Sequence, residues 1–205
     1  MGDVASRAAD VPLSSDASLV VLSGGDSRRM GRPKHALPVG GVTLLEWIVA
    51  RLGPSFAETI VSGAPAPAGM RGVADRRPAA GPLAGIEAAL LAMRGDRAFV
   101  VAVDMPSASA RLAAALIARV GAHDAVVPRV SGLAQPTCAV YARSAAPKIG
   151  AYLDGGKRRA TAALEGLDVV FVDTDDLHAS GIAASELGDL DTPADYDAFL
   201  ASLRT

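Results

Sequence analysis

The chain has 205 residues, half of them hydrophobic but only 4% aromatic, with 22 acidic side chains against 20 basic ones and a single cysteine. That length suits one domain of about 190 ordered residues, with a core built from Val, Leu and Ala as in layered α/β proteins. A formal charge of −2 argues against a nucleic-acid binder, and one cysteine excludes an intrachain disulfide or a cysteine-rich zinc site.

Residues 1–16 mix Asp, Ser, Arg and Pro without an apolar stretch, and they read as a disordered N-terminal extension rather than a secretory signal. No apolar run reaches the roughly 18 residues that span a bilayer, so the expectation is a cytoplasmic protein. Residues 17–205 read as one domain. In chain order the pattern predicts a strand at 18–23, a helix at 43–52, a strand at 58–62, a loop at 64–69, a helix at 82–94 and a strand at 98–103. A helix at 107–120, strands at 124–128 and 137–141, helices at 144–152 and 157–164, a strand at 169–172 and a helix at 193–202 follow. The unbroken apolar character of residues 19–22 and 99–103 predicts strands buried on both faces, hence a mostly parallel sheet. Pro82 and Pro193 each stand where a helix begins, a position that suits proline.

The first strand runs into a loop holding Gly24, Gly25 and Gly31 with Arg28, Arg29, Arg32 and Lys34. Glycines let backbone N–H groups turn toward a phosphate chain, and the cations neutralise its charge. The spacing fits neither the P-loop nor the G-x-G-x-x-G dinucleotide fingerprint. An ordinary strand-to-helix turn accounts for the glycines but not for four cations together. The reading is a nucleotide-phosphate site, and so an enzyme.

Other candidates fall where ligands gather in open α/β sheets, beyond the carboxyl ends of strands. Asp104 follows Phe99-Val-Val-Ala-Val103 and precedes Met105-Pro106; it suits a Mg²⁺ ligand and equally a cap for the helix at 107–120. Asp189-Leu-Asp-Thr-Pro193 offers two carboxylates that point the same way if extended. One is placed to complete a metal site and the other to cap the last helix. Asp75 to Gly85 forms a second glycine loop, in which Gly81 and Gly85 permit close backbone approach and Asp75 can accept hydrogen bonds from a base or sugar. Gln135 to Tyr141 is a strand entry suited to a second substrate, and Gly155-Gly-Lys-Arg-Arg159 is a basic turn suited to a phosphate or simply to solvent. Cys138, in an apolar run, reads as a buried structural thiol. His35, His123 and His178 share no ligand spacing and receive no role.

Taken in order, these motifs resemble the molybdenum cofactor guanylyltransferases and their nucleotidyltransferase relatives. That family opens with Leu-Ala-Gly-Gly-x-Ser-x-Arg-Met-Gly-x-Asp-Lys, and here Leu22-Ser-Gly-Gly-Asp-Ser-Arg-Arg-Met-Gly-Arg-Pro-Lys34 stands in its place. Gly81-Pro-Leu-Ala-Gly85 is unchanged, Asp104-Met-Pro106 matches the family's Asp-x-Pro, Pro136 to Tyr141 matches its Pro-Thr-x-Ala-x-Tyr-like strand, and Asp189 to Pro193 matches its Asn-x-Asn-Thr-Pro-like segment. The likeness covers nearly the whole chain from Ser18 to about Leu200. It implies a three-layer, Rossmann-like α/β nucleotidyltransferase domain that transfers GMP from GTP to molybdopterin and releases pyrophosphate. It further implies Arg29, Lys34 and Asp104 in catalysis, and a nucleotide held by Leu22, Ser23, Gly24, Gly25, Arg29, Lys34, Asp75, Gly81, Pro82 and Asp104. Mg²⁺ would be the cofactor, on Asp104 with Asp189 or Asp191, and the partners beyond the two substrates would be client molybdoenzymes or their chaperones, with no nucleic acid and no membrane.

Three positions depart from the pattern. Pro33 replaces the acid that usually precedes the lysine, as in the cytidylyl branch and some sugar-nucleotide relatives. Gly24 matches the guanylyl branch, where the cytidylyl branch carries alanine. Asp189 and Asp191 stand where asparagines are common. Transfer from CTP, transfer to a sugar phosphate, and a non-catalytic role in cofactor delivery therefore stay open at this point.

Overall fold

The computed structural model describes residues 16–24, 32–68, 70–77 and 80–204. The expected N-terminal extension, apart from Asp16, lies outside the described residues, and so do Gly25, Arg28, Arg29 and Gly31 of the first loop. The elements are β1 (Ala17–Leu22), β2 (Pro38–Val39), β3 (Val42–Thr43), α1 (Leu44–Leu52), β4 (Glu58–Ser62), β5 (Arg71–Val73), α2 (Pro82–Ala92), β6 (Arg97–Ala102) and α3 (Ala110–Val120). They continue as β7 (Ala125–Val130), β8 (Leu133–Ala134), β9 (Cys138–Ala142), α4 (Ala145–Asp154), α5 (Ala160–Ala163), β10 (Val169–Asp173), α6 (Thr174–Ala179) and α7 (Pro193–Ser202).

The main sheet runs in the order β10-β7-β9-β6-β1-β4-β5, with β8 folded back on β7. β1 lies inside the sheet, parallel to β4 on one side and to β6 on the other. β5 extends the parallel set past β4, and β10 lies parallel to β7. β9 alone among the long strands is reversed, antiparallel to both β6 and β7. The mostly parallel sheet expected from the apolar runs is therefore observed.

All six residues of β1 are buried, as a strand covered on both faces requires. Alternation sends Leu19, Val21, Phe99 and Val101 to one face, where Leu44 and Ile48 of α1 and Leu112 and Leu116 of α3 pack. Val20, Ile60 and Val100 go to the other face, against Leu83, Ile86 and Leu90 of α2 and Ile149 and Leu153 of α4. The result is three layers. α7 joins the first layer through Phe199, which meets Trp47 of α1 edge-to-face at 5.2 Å. Cys138 is buried in that layer, and burial pushes its thiol well above the usual range, so it is no nucleophile.

Several boundaries move. The third helix begins at Ala110, because Ser109 accepts from the Leu112 N–H and caps it there. Residues 157–164 yield only α5 and a short 3-10 turn (Leu164–Gly166), since Gly156 at φ +74° turns the chain out of helical geometry after α4. β5, the β2–β3 hairpin and α6 leave no periodic signal: β5 is three residues around Gly72, and α6 buries only Leu177. Among the described residues, no helix is long and apolar enough to cross a membrane.

Candidate active site

The register of the parallel strands brings three chain segments to one edge. Leu22 is level with Ser62 on one side and Ala102 on the other. Beyond that row Ser23 N–H donates to Ser62 O at 2.7 Å and Val103 N–H to Leu22 O at 2.8 Å, so Ser23-Gly24, Gly63 and Val103-Asp104 emerge side by side. Gly63 makes this crossing possible. It sits at φ +93°, and a Cβ there would stand 2.5 Å from the Gly24 backbone nitrogen. Above the strand ends lies a cavity of about 230 Å³, bordered by Leu22, Ser23, Gly24, Lys34, Pro82 and Asp104. The Ser23 hydroxyl is buried at its wall and has no hydrogen-bond partner among the described residues.

The charges at this edge converge. Lys34 opens a 3-10 turn, Lys34–Ala36, and its Nζ donates to Asp104 Oδ2 at 2.8 Å and to Asp191 Oδ1 at 3.3 Å. Burial pulls the Lys34 ammonium down, but the hydrogen bonds and charges of the two carboxylates outweigh it and hold the group above the ordinary lysine value. The last segment of the chain is pinned here by its backbone as well, since Leu190 N–H donates to Asp104 O at 2.7 Å.

Both capping roles open to these acids belong to other residues. Ser109 caps α3, which frees Asp104. Thr192 caps α7 in a reciprocal box with Asp195, which also accepts from the Asp191 N–H at 3.1 Å. The expected cap among Asp189 and Asp191 is thus corrected to Thr192. Asp191 faces the site, whereas the Asp189 side chain is exposed and makes no hydrogen bond or ion pair among the described residues. No group of three or more His, Cys, Asp or Glu is assembled for a metal among the described residues. Two hard carboxylate oxygens nevertheless meet at one positive charge, and that donor set fits a Mg²⁺ ion, which takes one or two carboxylates and completes its shell with substrate phosphates.

The opposite wall comes from the loop between β5 and α2. Ser62 Oγ donates to Asp75 Oδ1 at 2.9 Å, which fixes that carboxylate beside the end of β4. A Cβ on Gly85 would stand 2.7 Å from the same Ser62 Oγ and 3.4 Å from Asp75 Oδ1, so this glycine serves close packing of α2 on the strand ends. The Arg158 carbonyl of the basic turn lies 3.8 Å from the place of a Cβ on Gly81. The segments singled out in the sequence therefore meet at one edge, with Gly25 and Arg29 outside the described residues.

Some residues at this edge lacked a sequence signal. His35, which received no role, borders the cavity, as does Thr137 of the strand entry singled out above. Gly63 could have been suspected from its place after a parallel strand. Arg77 and Glu87, an ion pair behind the Asp75 loop, could not, because nothing in spacing links a loop arginine to a helix carboxylate.

The chain is similar to several known proteins. The model of the MobA-like NTP transferase domain matches residues 19–181. A probable molybdenum cofactor guanylyltransferase of Chloroflexus aggregans is 34% identical over 205 residues, covering 95% of this chain and 99% of that protein. One from Pelotomaculum thermopropionicum is 38% identical over 131 residues, covering 62% of this chain and 64% of that protein. Among solved structures, molybdopterin-guanine dinucleotide biosynthesis protein A from Archaeoglobus fulgidus superposes with a TM-score of 0.80 at 25% identity, over 91% of this chain and 98% of its own.

Proposed function

The chain belongs to the MobA-like NTP transferase family, a family of nucleotidyltransferases, and from that premise we propose that it transfers GMP from GTP to molybdopterin, with Mg²⁺ as cofactor. The observation that carries the reading is the Lys34–Asp104–Asp191 cluster at the cavity mouth, between the first loop and the last segment of the chain. The resemblance of the loop to the guanylyl branch, through Gly24, and the names of the relatives supply the base and the acceptor.

In this reaction an oxygen of the acceptor's terminal phosphate bonds to the α-phosphorus of GTP, and the bond to the β-phosphate oxygen breaks to release pyrophosphate. Such transfers depend on positioning and on neutralising charge, so no protein nucleophile is needed. Asp104 and Asp191 would hold the Mg²⁺, which when bound supplies charge neutralisation on the transferred phosphorus and leaving group. Lys34 would add its own charge to the triphosphate once the carboxylates turn to the metal. The Ser23–Gly24 backbone would face the nucleotide, Asp75 would accept from the guanosine, and the Gly81–Pro82 turn would form the far wall.

A nucleotide panel tests this. Calorimetry with the Mg²⁺ complexes of GTP, CTP, ATP and UTP should show a clear preference for GTP, followed by pyrophosphate release when molybdopterin is supplied. Preference for CTP would favour a cytidylyltransferase, the reading to which Pro33 points. Nucleotide binding without pyrophosphate release would leave a delivery protein.

A further inference from the structure

Behind the nucleotide loop lies a charge cluster that touches neither the cavity nor any residue assigned above. Arg77 donates through Nε to Glu87 Oε2 at 2.9 Å and through Nη2 to Oε1 at 3.2 Å, the two-pronged geometry that suits guanidinium to carboxylate. Its remaining arm, Nη1, donates to Asp154 at the end of α4. Glu87 is 4% exposed, in the middle of a helix otherwise packed on apolar neighbours. α4 makes room for it: a Cβ on Gly150 would stand 2.6 Å from Glu87 Oε1 and 3.6 Å from Arg77 Nη2.

A buried carboxylate that only packs is a poor choice, because apolar residues of similar size serve stability as well or better. Its place gives it another use. Arg77 lies two residues after Asp75 and four before Gly81, and its carbonyl accepts from Ala80 N–H at 3.2 Å. One side chain thus ties the loop to α2 and α4 at once, while Ser62 holds Asp75 at the other end. We propose that Arg77, clamped by Glu87 and Asp154, is a positioning residue that sets the Asp75–Gly81 loop for nucleotide binding without touching the nucleotide. The proposal rests on the nucleotide reading of the site given above.

Removing Arg77 alone leaves Glu87 buried without its partner, so a double variant that keeps the packing carries the test: Arg77→Met with Glu87→Leu. Its melting temperature is expected to stay near that of the wild type, while its Kd for Mg²⁺-GTP by calorimetry rises about tenfold and kcat at saturating GTP holds within about twofold, the pattern of lost uniform binding. Arg77→Lys keeps the charge but loses the fork, and it is expected to weaken GTP binding about threefold, again with kcat held; it decides the question alone if the double variant does not fold. A merely structural pair would move the melting temperature and leave Kd where it was. Wild-type binding of GTP together with variant Kd values within about twofold of it overturns this inference alone. Wild-type protein that binds none of the four nucleotides overturns the functional reading, and this inference with it.

Discussion

Lys34 is held between two carboxylates at 2.8 and 3.3 Å, one at the end of β6 and one before α7. Its raised pKa means that its charge contributes stability fully below the ordinary lysine value of 10.5 and loses it only as the pH rises through the higher folded value. The metal-free protein should therefore show no titration of this group, and no change of stability from it, between pH 6 and 9. Lys34→Ala is expected to keep the fold and lower kcat by about a hundredfold or more, since it removes a preorganised charge from the phosphate site; pyrophosphate release and circular dichroism check the two halves. Ser23 gives a prediction of the opposite sign for stability. Its buried hydroxyl has no partner among the described residues, so Ser23→Ala should stabilise the free protein by about 1 kcal/mol, a rise of about 2–4 °C in a thermal melt. At this scale, Lys34 was legible because cations beside glycines after a strand are chemically unusual, and Asp104 because it is a carboxylate at the end of a buried strand. Asp191 was legible only as one of two acids, and the cap that frees it is the hydroxyl of Thr192.

The elements were legible in proportion to their burial. β1 and β6 announce themselves by unbroken apolar runs, and β4 and α7 have the predicted bounds. Elements that bury little, such as β5 and α6, have too few core contacts to impose a period and are fixed by the sheet edge and by neighbours far along the chain. The junctions between elements escape sequence for a related reason. Gly63 is required by its own positive φ and also by Gly24, 39 positions earlier, whose backbone passes where a side chain would stand. Gly63→Ala must take an unfavourable positive φ and push β1 and β4 apart at their carboxyl ends. It is expected to cost about 1–3 kcal/mol in a denaturant titration and to weaken nucleotide binding, while Gly121→Ala, also at positive φ but with open space around it and away from the site, costs stability alone.

Across the whole molecule, the site joins regions that the sequence keeps apart. Lys34 follows the first strand, Asp104 lies at mid-chain, and Asp191 precedes the last helix, so a ligand held by all three ties the N-terminal loop to the C-terminal segment. The free protein already draws them together through one ammonium, which holds the two carboxylates in reach of a metal at the cost of competing with it. A nucleotide bound only by the folded arrangement must stabilise the fold by mass action. At Mg²⁺-GTP a hundredfold above its Kd the gain is about 2.7 kcal/mol, which for a domain of this length raises the melting temperature by about 5–10 °C. The rise should grow with the logarithm of ligand concentration and shrink when Mg²⁺ is chelated. Asp104→Asn and Asp191→Asn separate the roles of the carboxylates: if both hold the metal, each lowers the Mg²⁺-dependent part of the rise. Should Asp191 serve only to hold Lys34, its variant would melt lower without ligand yet keep the full Mg²⁺-dependent increment.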